Sequence, residues 1–517
     1  MKTNIRIFSL CLFALLGLGA CSDYFDPDQS LGLDKGDHWN THDKVRRSVI
    51  GAYAGLQNVV EELVILGDLR ADLMDVTGNY DGDLLEISEN NIGADNPYAN
   101  PRHFFEIITN CNETLANMDK ALDDPNFTEE IRDVYKAELI SLRSWVYFQL
   151  SQTYKEVPYI TDPLSGYDKG FEPEKLGFEA MVNHLITEME WAYAQGRITW
   201  SEGDSNNYWK RVFINRKVLL AELHLWAGNN GRAANLLLEA INVDGEGEDN
   251  AHFKCEKSAT GRDKWKEIWN SALAGASFSE QVTLVPFNRE NDQSNEFARL
   301  FAALGVGDYL LKPSTRAIQY WENEGNNGDF YRGRESSYIQ YGEQLPVVFK
   351  YFKNKEGALN PEEERKSDTP YCIYRAADIH LMYAEAMNRM GRHGEALSTI
   401  NRKLNAVSRS SGIRGRVDLP SIDLLEYIGA EEPVDIDSLT VIENVLLDER
   451  AKELAFEGRR WNALMRFASR RGDASVLADR VAMKFDEEYL NLDGIKTRLG
   501  DMSTWKLEFN MRHLSGE

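Results

Sequence analysis

The sequence is poor in cysteine and in basic residues. It has 5 cysteines among 517 residues, without a Cys-x-x-Cys pair, and its 9 histidines include no His-Glu-x-x-His motif. A disulfide framework and a cysteine- or histidine-based metal site are therefore not expected. Lysine and arginine total 58 against 83 aspartates and glutamates, a net charge of −25. Such an acidic surface repels phosphate groups, so nucleic acid is not an expected partner.

Motifs of several common catalytic sites are also missing. The sequence contains no Gly-x-Ser-x-Gly, no phosphate-binding P-loop and no Gly-x-Gly-x-x-Gly after a strand. These absences leave binding proteins and enzymes that work with a pair of carboxylates. Hydrophobic residues make up 43% of the chain. A chain of this length and composition can bury a large core, so we expect a folded protein.

The amino terminus is a short apolar segment that ends on a cysteine. Two basic residues precede about a dozen mostly apolar ones, 7–18, which are too few for a membrane-spanning helix of about 20 residues. This pattern is typical of a secretory signal peptide. Residues 18–21 (LGAC) resemble the lipobox of bacterial lipoproteins. We therefore expect residues 1–20 to be removed and Cys21 to carry lipid, with no further membrane span after it.

An acidic segment follows the lipobox cysteine. Residues 22–26 (SDYFD) resemble the surface-export signal of Bacteroidetes lipoproteins, which places the protein on the outer face of the outer membrane. Residues 21–40 are then a lipidated tether. Loss of the two basic residues of the signal peptide leaves 56 basic against 83 acidic residues, a net charge of −27. The cysteines beyond the tether are widely separated and odd in number: Cys111, Cys255 and Cys372.

Two segments of the chain share one helical pattern. In residues 219–241 an Ala-Glu pair leads to Gly228 and then to an alanine, and residues 381–404 repeat the same offsets around Gly391. Helix, glycine-bearing turn and returning helix are typical of a tetratricopeptide hairpin, in which glycine supplies the positive φ of the turn. A third, incomplete copy begins at Ala137.

The composition and periodicity of the rest of the chain predict more helices and one long insertion. Between 244 and 370 helical periodicity fades and Asn, Gly, Asp and aromatic residues become frequent, so we expect loops with short strands or helices there. We predict a mostly α-helical protein with one compact domain of tetratricopeptide-like hairpins, residues 41–517, which contains the loop-rich insertion 244–370. Apolar spacing predicts further amphipathic helices at about 42–64, 101–122, 174–194 and 440–468.

Three stretches, together with the lipobox, resemble the SusD/RagB family of Bacteroidetes outer-membrane nutrient-binding lipoproteins. They are residues 136–161, 371–401 and 445–468, of which the last is the most specific because DER, ELxxEGxRW and a basic helix occur there in that order. The resemblance implies capture of a glycan, or in some members a peptide, without catalysis or a cofactor. It also implies a partner, a SusC-like TonB-dependent transporter over which the lipoprotein lies.

Candidate ligand residues come from two regions. Sugars are recognised by flat aromatic faces and by planar amide, carboxylate or guanidinium groups. In the family, the region after the first long helices contributes to the ligand site, which here indicates Asn79, Tyr80 and Asp81. A packing role remains open for the Tyr309 and Trp321 rings, because their stretch resembles a structural segment of the family. The insertion supplies the candidates Arg289, Asn291, Asn295, Phe297, Tyr309, Trp321 and Tyr331.

Two further clusters have a structural alternative. Residues 77–88 approach a calcium loop, with glycine at the sixth position, but Thr77 and Ser88 stand where ligating carboxylates belong, so we favour a polar recognition loop and no metal. Glu453 and Glu457 lie one helical turn apart, beside the basic and aromatic residues 459–461. This spacing suits a catalytic pair, yet it also suits intrahelical ion pairs and caps, which we favour.

Three alternatives to glycan capture remain open at this point. A peptide-binding member of the same family has the same sequence features. A lipid-anchored glycoside hydrolase needs only a pair of carboxylates, and with 83 acidic residues no pair can be singled out. A tetratricopeptide scaffold for a protein partner is the third, although the lipobox argues against the cytosolic setting of most such scaffolds.

Overall fold

The structure is a computed structural model. It describes residues 39–163, 173–196, 209–241, 280–288, 291, 293, 295–302, 308–324, 328–329, 331–341, 345–352, 369–402, 412–417, 419–430 and 434–512. The predicted signal peptide, Cys21 and most of the predicted tether lie outside these residues.

Helices dominate the described chain, as the apolar spacing predicts. Short 3₁₀ and π turns extend some of them. The helices are α1 His42–Ala54, α2 Val60–Val64, α3 Gly82–Ser88, α4 Arg102–Asn117, α5 Glu129–Thr153, α6 Phe178–Ala194, α7 Arg216–Trp226, α8 Asn230–Ile241, α9 Thr315–Glu322, α10 Ala376–Arg389, α11 His393–Asn401, α12 Leu424–Tyr427, α13 Ser438–Leu454, α14 Arg460–Arg471, α15 Ser475–Ala482 and α16 Leu492–Leu499.

The longer helices stack as successive pairs. α1 packs on α4, α5 on α6, α7 on α8 and α10 on α11, and each pair contacts the next, so that α10 lies against both α8 and α13. The two predicted hairpins are confirmed, with Gly228 at φ 80° and Gly391 at φ 76° in their turns. The incomplete third copy is also completed, because α6 returns alongside α5 after an intervening segment.

Polar caps mark where several helices begin. Thr128, Asn215 and Ser314 each accept a hydrogen bond from a backbone N–H in the first turn of α5, α7 and α9, respectively. Such caps satisfy donors that have no partner inside the helix. The sequence therefore defines these starts locally, before any tertiary contact.

The described strands form antiparallel pairs. β1 Met74–Val76 pairs with β5 Leu311–Pro313, and Met74 lies opposite Pro313. The other pairs bring together β2 Glu156–Pro158 with β3 Lys175–Gly177, β4 Gln281–Val285 with β8 Tyr371–Arg375, and β6 Tyr338–Tyr341 with β7 Leu345–Val348. The β1–β5 pair joins the amino-terminal helices to the insertion and thereby positions the loop described below.

The insertion shares the core of the helical body. Phe301, Trp321, Tyr338 and Val347 are buried in the same hydrophobic cluster as the residues of α1, α5 and α10. Its described part consists of short strands, a 3₁₀ turn and α9, as the sequence predicts. The boundaries 41–517 and 244–370 remain predictions.

Two helix predictions need correction. The single helix predicted at 440–468 is broken between Leu454 and Arg460, because Phe456 and Gly458 adopt left-handed conformations with φ 68° and 73°. The helix predicted at 174–194 begins at Phe178, since Lys175–Gly177 forms β3. In both places pairing with distant residues outweighs the local helical pattern.

One continuous helical run is long and apolar enough to cross a membrane, although the sequence predicts no further membrane span after the signal peptide. The turns between α1 and Leu69 stay helical, and the 28-residue stretch His42–Leu69 contains a window with a mean hydropathy of 1.4. Half of that window is buried inside the protein. Val45, Val49, Val59 and Ile65 are fully buried, which gives this run the role of a core helix.

Candidate functional site

The loop between β1 and α3 is held rigidly at its base and exposed at its tip. The Thr77 backbone N–H donates to the carbonyl oxygen of Leu310 at 2.8 Å, and its hydroxyl donates to the carbonyl of Tyr309. At the other end, the Asp81 carboxylate accepts from the N–H of Leu84 at 2.9 Å and caps α3. Asn79 and Tyr80 lie between these anchors with exposed side chains.

The insertion forms the neighbouring surface. The N–H of Leu310 donates to the carbonyl of Leu300 at 2.9 Å, and the N–H of Asp308 donates to that of Arg299 at 3.0 Å. An ion pair of 3.4 Å between the exposed Arg299 and Asp308 side chains closes this turn. The loop that carries Asn79, Tyr80 and Asp81 is therefore adjacent to part of the insertion, as a common ligand site requires.

Electrostatic contacts add two half-buried tyrosines to this surface. Burial raises the pKa of Tyr98, the nearby Glu61 and Asp81 carboxylates raise it further, and Arg299 lowers it. Burial likewise raises the pKa of Tyr489, whose hydroxyl donates to Glu89 at 2.7 Å and whose electrostatic neighbours include Tyr80. We call this surface the loop face and define it as Asn79, Tyr80, Asp81, Tyr98, Arg299 and Tyr489.

Four of the candidates in the insertion are buried, and three of these form hydrogen bonds within the protein. The Trp321 Nε1–H donates to the carbonyl of Lys452 at 3.1 Å, and Tyr309 donates to the carbonyl of Pro346 at 3.1 Å. Asn295 donates to the carbonyl of Thr369 at 2.9 Å. These contacts give the side chains packing roles in place of the predicted ligand contact. The buried candidates are Asn295, Phe297, Tyr309 and Trp321.

Two of the other three candidates of the insertion are described by the structure. Asn291 is exposed in a turn, where its N–H donates to the carbonyl of Asn288 at 3.1 Å. Tyr331 is half-buried and lines a cleft. Arg289 lies outside the described residues, as does Cys21. Among the six insertion candidates that the structure describes, four are buried, so these six do not form a single exposed site.

Tyr331 lines an open cleft beside α9. Its volume is about 700 Å³, in the range of about 300–1,000 Å³ that ligand pockets occupy. α9 forms one wall, and the opposite wall comes from residues 419–427 and α13. The Arg316 guanidinium stacks on the Tyr320 ring at 4.3 Å, and the Tyr427 hydroxyl donates to the Asp448 carboxylate at 2.7 Å.

The sequence analysis did not predict the cleft, although the spacing of two of its residues indicates a shared helix face. Arg316 and Tyr320 stand four residues apart and therefore share a helix face. Nothing in the sequence links that face to Tyr427 or Asp448, which lie more than 100 residues further along the chain. Such a constellation needs the fold before it can be recognised.

Glu453 and Glu457 have a structural role, but not through the intrahelical pairs that the spacing predicts. Glu453 accepts from Arg375 at 2.9 Å and from Arg332 at 3.3 Å. Glu457 accepts from Arg375 at 2.7 Å and from Lys350 at 2.6 Å. All five side chains are buried. Ion pairs between distant segments thus explain the charged residues of the ELxxEGxRW stretch.

The calcium-like loop shows no ligand geometry. Asp81 is engaged as a helix cap, and Thr77 bonds to the chain of the insertion. Across the residues that the structure describes, no group of three or more His, Cys, Asp or Glu side chains is arranged to hold a metal ion.

Comparison with known proteins identifies the family. The SusD family model matches residues 195–509, and the chain belongs to this family. SusD-like protein P38 of Formosa agariphila is 21% identical over 503 residues, covering 90% of this chain and 91% of that protein. SusD-like protein P2 of the same organism is 23% identical over 496 residues, with coverages of 90% and 91%.

Solved structures share the fold. Surface glycan-binding protein A from Bacteroides uniformis has a TM-score of 0.68 at 17% identity, covering 92% of this chain and 98% of that one. A laminarin-binding SusD-like protein has a TM-score of 0.61 at 17% identity, with coverages of 88% and 96%. The tetratricopeptide-like helical architecture that the sequence predicts is confirmed by these similarities.

Proposed function

We propose that this protein captures a glycan at the cell surface and delivers it to a SusC-like TonB-dependent transporter without breaking a bond. In this proposal residues 1–20 are a lipoprotein signal peptide, Cys21 carries the lipid, and residues 21–40 are the tether. The lipid holds the protein at the outer membrane with the helical domain facing outward. The ligand is an oligosaccharide or polysaccharide bound at the loop face.

The exposed Tyr80 on its anchored loop is the observation that carries this proposal. Its ring is 44% exposed, although burial is the usual state of a large apolar surface. Its chain neighbours supply the Asn79 amide and the Asp81 carboxylate, and the Arg299 guanidinium acts electrostatically on Tyr98, as Asp81 does. These are the planar polar groups that bind sugar hydroxyls. Membership of the SusD family and the glycan-binding names of two structural neighbours support the same assignment.

Two alternatives make different use of the same surface. A peptide-binding protein also uses an exposed tyrosine and polar neighbours, so peptides belong in the first experiment. A hydrolase needs two carboxyl groups that reach a substrate. Glu453 and Glu457, whose spacing also suits a catalytic pair, are buried in ion pairs and offer no such access.

Calorimetry with product analysis tests the proposal. The chain from Ser22 onward, which contains every described residue, is titrated with neutral glycans such as laminarin, with uronic-acid glycans and with short peptides. The same mixtures are then analysed by chromatography. We expect saturable binding of a glycan that is recovered unchanged. Saturable binding of peptides alone contradicts the ligand class, and shorter products contradict capture without catalysis.

Transporter coupling needs a separate experiment in cells. The protein is purified from outer membranes after mild cross-linking, and partners are identified by mass spectrometry. Recovery of a TonB-dependent transporter supports delivery, whereas recovery of the lipoprotein without such a transporter contradicts it. A cross-linked sample from cells that express the Cys21→Ala variant is the control for membrane proximity.

A further inference from the structure

The floor of the cleft beside α9 is a closed set of ion pairs. Arg414 donates to Glu324 at 2.6 Å and to Glu449 at 2.8 Å. Lys452 pairs with Glu449 at 2.7 Å and also with Glu324. Glu449 also accepts from the buried Arg332 at 2.9 Å, so the floor is a network of ion pairs in which each of these charged groups has a partner. It is a rigid base on which the two walls stand.

The α9 wall presents hydrogen-bond donors. Arg316, Gln319 and Asn323 follow one another at helical spacing and line the cleft together. Arg316 is held by its stack on Tyr320, and its Nε is buried without a hydrogen-bond partner. A buried donor without a partner is costly, and a bound ligand is one way to supply the acceptor.

The opposite wall presents acceptors and an exposed ring. Asp448 and Glu426 contribute carboxylates, and Tyr427, 36% exposed, contributes an aromatic face. Its hydroxyl is fixed by the 2.7 Å bond to Asp448. Asp423 adds a third carboxylate to this wall, although one of its oxygens caps α12.

The charged side chains of the two walls favour a neutral ligand over an anionic or a cationic one. An anionic ligand meets three carboxylates on one side, and a cationic ligand meets Arg316 on the other. A neutral ligand rich in hydroxyl groups accepts from the α9 wall and donates to the carboxylates, while an apolar ring face packs on Tyr427. Pyranose sugars have both properties.

We infer that this cleft is a second carbohydrate site, distinct from the loop face, which binds a neutral segment of two to a few sugar units. The inference rests on the proposed glycan capture. The residues that line the cleft include none of those that define the loop face. One polysaccharide chain, or two separate ones, can therefore occupy both sites, and paired sites strengthen the retention of a long chain through effective concentration.

Variants of each site distinguish the two. Arg316→Ala combined with Tyr427→Ala removes a donor and the ring from the cleft, and Tyr80→Ala removes the ring of the loop face. Arg392→Ala, an exposed arginine paired only with Glu395 at the start of α11, is the matched control. Thermal unfolding of each variant checks that the fold is kept, and Tyr427→Phe gives a milder change should the double variant unfold.

Calorimetric titration with a neutral oligosaccharide of four to six units reads out the number of sites. We expect two sites in the wild type, with the loop-face site weakened about three- to tenfold by Tyr80→Ala and the cleft site weakened about tenfold or more by the double variant. For a long neutral polysaccharide we expect both variants to weaken overall affinity.

Three results would overturn the inference. The first is a single site in the wild type that only Tyr80→Ala removes, in which case glycan capture stands and the cleft plays no part. The second is that the double variant of the cleft loses binding of uronic-acid glycans or short peptides but keeps its binding of neutral sugars. The third is a lack of binding of any glycan, which overturns the proposed function as well.

Discussion

Arg460 and Asp72 lie 388 positions apart in the chain and form a buried two-point ion pair. Nε and Nη2 of the arginine donate to the two carboxylate oxygens at 2.7 and 2.8 Å. Removal of one partner leaves a buried charge without compensation, so we expect Arg460→Ala to lower the free energy of unfolding by about 3–5 kcal/mol. Chemical denaturation measures this loss. The exposed control Arg392→Ala is expected to change it by less than about 1 kcal/mol, and a similar small change in Arg460→Ala would contradict the prediction.

Asp68 predicts a pH dependence of stability. Burial raises the pKa of its carboxyl to about 7, against a usual value of 3.8, although the Gly458 N–H donates to it at 2.6 Å. The folded state therefore binds the proton more tightly than the unfolded state, and this group's contribution to stability falls as the pH rises from about 4 to 7.

The Asp68→Asn variant removes that ionisation and keeps an oxygen for the Gly458 N–H. We expect it to match the wild type at about pH 4 and below and to gain relative stability as the pH rises to about 7, by up to about 1.4 kcal/mol per pH unit. Unfolding free energies at several pH values measure the difference, with exposed Asp95→Asn as the control. Parallel profiles for the wild type and Asp68→Asn would refute the assignment.

Gly67 marks the closest approach of the first helical run to the carboxyl-terminal region. A Cβ atom there would overlap the carbonyl oxygen of Gly458, which itself has φ 73°. We expect Gly67→Ala to destabilise the protein by more than about 3 kcal/mol or to prevent folding. Gly51, in α1, has open space around its Cβ position. Its substitution by Ala is expected to stabilise by about 0.5–1 kcal/mol. Equal thermal midpoints for the two variants would contradict this reasoning.

The loop face makes a prediction for ligand binding. Loss of an aromatic stacking contact costs about 0.5–1.5 kcal/mol, so Tyr80→Ala is expected to raise the dissociation constant about three- to tenfold. Tyr80→Phe keeps the ring and is expected to bind nearly as well. Trp191→Ala removes an equally exposed aromatic ring from α6 and serves as the control. A smaller effect for Tyr80→Ala than for Trp191→Ala in calorimetry would exclude Tyr80 from the site.

Cys21 predicts lipid attachment. Cells grown with a labelled fatty acid are expected to incorporate it into the wild-type protein and not into Cys21→Ala, since the thiol is the attachment point that the lipobox indicates. Fractionation should place the wild type in the outer membrane and the variant in soluble fractions. An unlabelled wild type would contradict the lipoprotein assignment.

Helices and hairpin turns could be predicted because their signals are local. The apolar spacing of α1, α4 and α6, and the glycines at the turns around Gly228 and Gly391, depend on neighbours within a few residues. The break at Phe456 and Gly458 could not be predicted, because the partners that favour it, among them Asp68 and Tyr371, lie far away in the chain.

The candidate site was predictable only in part for the same reason. Tyr80 and Trp321 are both aromatic residues in polar surroundings of the sequence, yet one is exposed and the other is buried against the carbonyl of Lys452. Composition identifies residues that suit a sugar, whereas exposure depends on the packing of distant segments. The cleft, whose walls come from segments about 100 residues apart, is the clearest example.

The pairing of residues 68–72 with residues 458–460 also sets an order of events during biosynthesis. Asp68 and Asp72 are buried next to groups that are synthesised almost 400 residues later. Until those groups arrive, the Asp68 and Asp72 carboxylates lack partners that they have in the folded protein. Because contacts of such large sequence separation slow folding, native packing of the amino-terminal third must wait for a nearly complete chain. Native packing of the amino-terminal helices therefore depends on an intact carboxyl-terminal segment.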